Sequence, residues 1–200
     1  MTLDSPVLAG RHVRLEPLAL THVDALAAAA AEDRATYRYT VVPEGLAGTT
    51  SYVEDLLAGR AREETIPFVQ RELATGRVVG ATRFMTLRYD GPSLFAVEIG
   101  GTWLAASAQR GPINTEAKFL LLTHAFDTWG VARVDLKSDA RNERSRAAIL
   151  RLGATFEGVL RAWQPSLVSG EEGLYRDTAY FSITAEEWPA RRDALATRLG

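Results

Sequence analysis

The chain contains no cysteine, which excludes disulfide bridges, thiolate-bound zinc and any reaction that carries an acyl group on a cysteine. It has no stretch close to the roughly 20 apolar residues of a membrane-spanning helix. Met1-Thr-Leu-Asp4 also lacks the basic, then apolar, opening of a secretory signal, so a cytoplasmic location without membrane association is the expectation. Charge of one sign is missing too: Lys and Arg number 23, Asp and Glu 25, and the formal net charge is −2. That balance does not draw the chain to nucleic acid or anionic lipid, so any anion must be recognised locally. Of the three histidines, His12 and His22 have no metal-ligand company, and no Gly-x-Gly-x-x-Gly or Gly-Lys-Ser/Thr loop marks a nucleotide site. What the 200 residues do contain, 46% apolar and 24% charged, is ordinary for one globular domain over residues 1–200.

Apolar periodicity orders the elements. Arg11 to Leu18 alternates as a strand with one buried face, closed by Pro17. Thr21-His-Val-Asp24 has the form of a capping box and opens an alanine-rich helix to about Ala31. Glu32 to Gly48 lacks a period and reads as a loop with a helical turn, while Ser51-Tyr-Val-Glu54 opens a short helix that stops at Gly59. Ile66–Gln70 and Arg77–Leu87 form a predicted hairpin turning at Ala74-Thr-Gly76. A third strand, Phe95–Leu104, carries Gly100-Gly101, a signature of a bulge that could pry it from its neighbour. Asn114–Trp129 is apolar on nearly all sides, as a helix packed into the body of a protein must be. Val131–Lys137 is the next strand, and Asn142 caps a helix to Leu152 with Gly153 behind it. Ala154–Leu160 and Asp177–Ile183 are strands separated by a long loop, residues 161–176, and the tail is helical with Pro189 in its first turn. This order predicts an α/β (α+β) sheet of mixed direction.

The chemistry concentrates in Val97–Ala117, a strand that passes through Gln109-Arg-Gly-Pro-Ile-Asn114 directly into a helix. A helix start leaves N–H groups unpaired and carries about half a positive charge, which suits a phosphate. Taken with Asp139-Ala-Arg-Asn142-Glu-Arg-Ser145, Arg151-Leu-Gly-Ala154 and the element order, this stretch resembles the GNAT acetyltransferases. The likeness is greatest to their Rim-type branch, which acetylates ribosomal-protein N-termini and small amines. The resemblance covers most of the chain. It implies a mostly antiparallel central sheet of about seven strands, helices on both faces and a splayed central pair. It further implies acetyl-coenzyme A as co-substrate, no metal, a primary amine acceptor (a protein N-terminus or a small molecule), transfer within a ternary complex, and room for a homodimer.

The family cradle, Gln/Arg-x-x-Gly-x-Gly/Ala, reads Gln109-x-x-Pro112-x-Asn114 here. Proline has no N–H, so one donor is lost and coenzyme binding is expected to weaken about tenfold or more. Gly111 and Asn114 are suited to the unusual backbone angles that would compensate. By resemblance, Gln109, Arg110, Gly111, Ile113, Asn114 and Thr115 meet the pyrophosphate. The backbone N–H groups of Leu104 and Ala106 meet the acyl arm and its oxyanion, and Asn142 orients the coenzyme. Arg146, with Lys118 and Arg144, is a candidate for its phosphates. Glu98, eleven residues before Gln109, matches a family general base, and its place between Val97 and Ile99 would half-bury it. The tyrosine that protonates the thiolate in many relatives is Ile149 here, which leaves Ser145 for that role. Plainer readings stand beside these: Glu98 as an ion-pair partner, Asn142 as a helix cap, Ser145 as a first-turn residue, His124 as a packed helix residue. Trp163, Tyr37 and Tyr39 lie in the two loops that flank the acceptor pocket by resemblance. A silent domain that senses acyl-coenzyme A or serves in assembly is the alternative, favoured by Pro112 and Ile149.

Overall fold

Strands β1 (Leu8–Ala9), β2 (Val13–Pro17), β3 (Thr65–Glu72), β4 (Val78–Asp90), β5 (Ser93–Leu104), β6 (Arg133–Asp139), β7 (Thr155–Pro165) and β8 (Tyr175–Thr184) form one sheet in the order β1-β2-β3-β4-β5-β6-β8-β7. The computed structural model describes residues 3–200. Every neighbouring pair is antiparallel except β5 and β6, which a helical crossover connects. That parallel pair joins over only three residue pairs, Ala96 with Arg133, Val97 with Val134 and Glu98 with Asp135.

The pair parts where the glycines are. Ala81 of β4 faces Trp103 while Arg83 faces Gly100, so β5 holds one extra residue and bulges. Gly101 takes φ +57°, and a Cβ there would lie 2.7 Å from the Arg83 guanidinium carbon. Only glycine fits that position without displacing the arginine.

Five helices cover the two faces: α1 (Val23–Ala31), α2 (Gly45–Ala61), α3 (Ile113–Thr123), α4 (Glu143–Leu150) and α5 (Trp188–Leu199). Trp103 turns to α2, where its Nε1 donates to the Tyr52 hydroxyl at 3.3 Å. Ala81 lies beside Trp103, so Phe84, three residues along β4, points to the other face. There it meets Trp129 and His124 at 4.5 and 6.3 Å between ring centres. Residues His124–Thr128 extend α3 as a π-turn, and Phe126 stacks on Trp188 of α5 at 5.2 Å. Completely buried Phe68, Phe84 and Phe181 each contribute about 2–3 kcal/mol of apolar transfer to this core.

One buried carboxylate ties helix to hairpin. Glu116 of α3 accepts the backbone N–H groups of Arg11, His12 and Val13 at 2.7, 2.7 and 2.8 Å, filling the space beside Gly10.

Several boundaries differ from the sequence expectation. α2 starts at Gly45 rather than Ser51, because Thr49 is buried on the same face as Val53 and Leu56 and packing carries the helix back past Gly48 and Gly45; the Thr49 and Thr50 hydroxyls donate to the Gly45 and Leu46 carbonyls. The box at Thr21–Asp24 does not form: residues Leu20–His22 make a 3-10 turn, and His22 Nδ1 accepts the Ala19 N–H at 3.1 Å. β7 continues past Leu160 to Pro165, shortening the loop to residues 166–174. No helix among the described residues is long and apolar enough to cross a membrane.

Candidate active site

Beyond Glu98, β5 and β6 diverge and the inner edge of β5 is left without a strand partner. The Leu104 carbonyl, which accepts from the Tyr37 hydroxyl at 3.2 Å and Gln109 Nε2 at 2.9 Å, points into this fork, whereas Ala105 donates to Val79 on the β4 side at 2.7 Å. Backbone groups alternate along a strand, so the N–H groups of Leu104 and Thr102 face the opening. Ala106 begins a short 3-10 turn, Ala106–Ala108, that leads to the cradle.

In the cradle Gln109 is extended and Arg110 is left-handed at φ +64°, a conformation costing a non-glycine residue about 1 kcal/mol. Arg110 therefore takes the unusual angle expected of Gly111 or Asn114; Gly111 has no positive φ and Asn114 is already helical. Pro112 is the N-cap at φ −73°, and the first intrahelical bond runs from Glu116 N to Pro112 O at 2.9 Å. The N–H groups of Gly111, Ile113, Asn114 and Thr115 have no partner among the described residues, a donor set that fits a pyrophosphate despite the proline. Replacing Pro112 with alanine adds one donor at the N-cap. Isothermal calorimetry is expected to show acetyl-coenzyme A binding about tenfold tighter; equal affinity would show that the missing N–H carries no weight.

Glu98 sits at the apex of the fork, 4% exposed. Lys137 Nζ lies 2.8 Å from its Oε2, and the Thr86 hydroxyl donates to the same oxygen at 3.0 Å. The carboxylate is thus buried as half of an ion pair and fixed in orientation. Its other oxygen, Oε1, receives no protein donor among the described residues and lies over Gly100, where a Cβ would approach to 3.1 Å. The missing side chain keeps that oxygen accessible.

On the same face, Asp135 receives Arg88 and Arg133, and Arg133 continues to Glu157 at 2.5–2.8 Å. Tyr180 is held protonated, its pKa pushed up to about 12 by burial and then by the charges of Asp135 and Glu98. Arg88, Glu157, Gly158, Leu160, Trp163 and Tyr180 line a cavity of about 360 Å³ in this part of the sheet. Of the three aromatic residues in the flanking loops, Trp163 lines that cavity. Tyr37 is buried edge-on to Trp103, and Tyr39 is enclosed by Arg38 and Arg141.

The other arm of the fork ends in α4. Asn142 caps it, accepting the Ser145 N–H at 3.1 Å, so the cap reading of Asn142 holds, and the Ser145 hydroxyl has no partner among the described residues. Arg144 reaches back across the opening to Gln109 Oε1 at 3.1 Å and the Thr36 carbonyl at 2.8 Å. Arg146 turns away, donating to the Ala140 carbonyl at 3.0 Å over the Phe156 ring. Lys118 is buried under the sheet rather than at the cradle, and His124 is a packed residue whose imidazole pKa is pushed down by burial. No cluster of His, Asp and Glu among the described residues could hold a metal ion.

A sheet forked beside a bulged strand, opening onto a helix start with unpaired amides, agrees with the splayed central pair that the sequence resemblance implies, and the acetyltransferase (GNAT) domain family matches residues 12–155. This chain belongs to it. A GCN5-related N-acetyltransferase from Brucella melitensis is 30% identical, with a TM-score of 0.86 over 100% of this chain and 88% of that one. Mycobacterium smegmatis RimJ, solved with CoA-disulfide, is 25% identical with a TM-score of 0.79 over 96% of this chain and 91% of its own. Bacillus subtilis YdaF, named as a candidate ribosomal N-acetyltransferase, is 32% identical over 92 residues, 46% of this chain and about half (48%) of YdaF. These relatives agree with the Rim-type resemblance and with a reaction that uses acyl-coenzyme A.

Within the GNAT frame, the sequence had singled out Glu98 but not its partners Lys137 and Thr86, and it had placed the inward N–H groups at Leu104 and Ala106 without Thr102. One signal was available. The chain has only two lysines, Lys118 and Lys137, against 21 arginines; Lys118 is buried, and the Lys137 side chain, 10% exposed, lies against Glu98.

Proposed function

We propose that this GNAT chain transfers an acetyl group from acetyl-coenzyme A to a primary amine, a protein N-terminus or a small molecule, within a ternary complex. The observation that carries the reading is the free Oε1 of Glu98 at the apex of a fork whose open edge supplies N–H donors. The amine lies on the face lined by Arg88, Trp163 and Tyr180, and its nitrogen attacks the thioester carbonyl carbon. As the C–N bond forms, Glu98 Oε1 takes the amine proton while Lys137 and Thr86 keep Oε2 in place. The Thr102 N–H, nearest the apex, donates to the oxyanion, and the Leu104 N–H holds the coenzyme arm. The C–S bond then breaks, and the departing thiolate takes the Ser145 hydroxyl proton, which solvent restores. The amides of Gly111, Ile113, Asn114 and Thr115 and the Arg110 side chain hold the pyrophosphate.

Thiol release from acetyl-coenzyme A, measured across a panel of amines and peptides, tests this. Glu98→Gln is expected to lower kcat about a hundredfold with the acetyl-coenzyme A KM changed less than about twofold. If acetyl-coenzyme A binds tightly and no acceptor releases thiol, the silent sensor replaces the enzyme.

A further inference from the structure

Lys118 lies in the second turn of α3, 6% exposed, and touches no carboxylate. Its ammonium donates to two hydroxyls, Thr82 of β4 at 3.1 Å and Thr102 of β5. The two threonines also bond each other at 2.8 Å, so neither needs the lysine to satisfy it. A buried charge without a counter-charge costs stability, and a chain that uses arginine almost everywhere else carries a lysine here. Thr102 follows the Gly100-Gly101 bulge, and its N–H faces the fork while its hydroxyl faces Lys118.

We propose that Lys118 is a positioning residue for acyl transfer: through Thr102 it fixes and polarises the N–H that receives the thioester oxyanion. The inference rests on the proposed reaction, in which that N–H is the oxyanion donor. The chemistry fits a compact titratable amine. Burial alone brings the ammonium pKa down to about 7, so it is readily neutral at rest and is drawn to its charged form by an anion developing one residue away. Of the charged side chains on the surrounding elements, Glu116 is engaged with the hairpin amides, Arg191 lies near Glu187, Arg192 near Asp127 and Glu98 against Lys137, while Arg83 of β4 lies over Gly101 with no carboxylate partner among the described residues.

The decisive measurement is the infrared carbonyl band of bound acetyl-coenzyme A labelled with carbon-13 at the thioester, in the natural chain, Lys118→Met and Thr102→Val. Binding to the natural chain should shift the band to lower frequency. Lys118→Met should lose about half of that shift or more and lower kcat roughly ten- to a hundredfold at nearly constant KM, while melting at a higher temperature. Thr102→Val keeps the N–H and should move the same way by less. A folded Lys118→Met with an unchanged band overturns the role, whatever its kcat. The band needs no acceptor, so a failure to find an amine substrate removes the proposed reaction but leaves this readout intact. Absence of any shift in the natural chain overturns the positioning role and leaves the proposed reaction to the thiol-release assay.

Discussion

Glu116→Ala is expected to melt roughly 10–20 °C below the natural chain. The carboxylate satisfies three consecutive backbone N–H groups of the turn between β1 and β2. Hydrogen bonds to a charged acceptor contribute about 1.5–3 kcal/mol each, and the Val13 amide, buried with the carboxylate, is left without a partner. Allowing for non-additivity, roughly 4–6 kcal/mol is lost, at about 2–4 °C per kcal/mol for a chain of this size. Glu116→Gln should fall about halfway, since its amide nitrogen opposes donors with a donor. Gly10→Ala acts in the same direction, because its Cβ would approach the Glu116 carboxyl carbon to 2.4 Å. Thermal melts followed by circular dichroism measure all three. A Glu116→Ala midpoint within about 2 °C of the natural chain would mean that water replaces the carboxylate without cost. The effect extends to function: α3 is anchored by this residue only three positions after the free Ile113 amide, so loosening it should also raise the acetyl-coenzyme A KM.

Lys118→Met should do the opposite and stabilise the chain, in a pH-dependent manner. Burial holds the ammonium pKa at about 7 against an ordinary 10.5. Above about pH 10.5 the amine is neutral in both folded and unfolded chains, and its burial carries no charge penalty. Between 10.5 and 7 the unfolded chain binds a proton that the folded chain does not, so stability falls as pH falls, by about 1.4 kcal/mol per pH unit. Below 7 both forms are protonated and the penalty stays at its full value, roughly 4–5 kcal/mol. The variant removes it and leaves the Thr82–Thr102 bond in place. Its advantage in denaturant melts should therefore be greatest at pH 6–7 and shrink steadily toward pH 9.5. A constant difference across that range would show that the amine does not titrate as its surroundings dictate.

Much of the fold was legible because it follows local rules. The glycine pair at 100–101 announced the bulge, Asn142 and Gly153 bounded α4, and Pro189 marked the first turn of α5. The early start of α2 was hidden, since Gly45 and Gly48 argue against a helix and the burial of Thr49 beside Val53 and Leu56 exists only once the helix has packed. At the site, Glu98 could be picked out by spacing, but Lys137 is 39 residues away and meets it only because β6 returns parallel to β5. Lys118 was placed among the phosphate-facing cations because α3 is apolar nearly all round, so no stripe showed which way a charged residue would turn.

The three-pair junction between β5 and β6 has one more consequence. Unpaired strand edges usually invite other chains, and proteins protect outer edges against aggregation. Here the bare edge lies within the sheet, bounded by β5 on one side and β6 on the other. A folded partner is too thick to enter such a slot. What fits is a single extended chain able to accept hydrogen bonds from one side, so the sheet is built one strand short and its own width screens what may complete it.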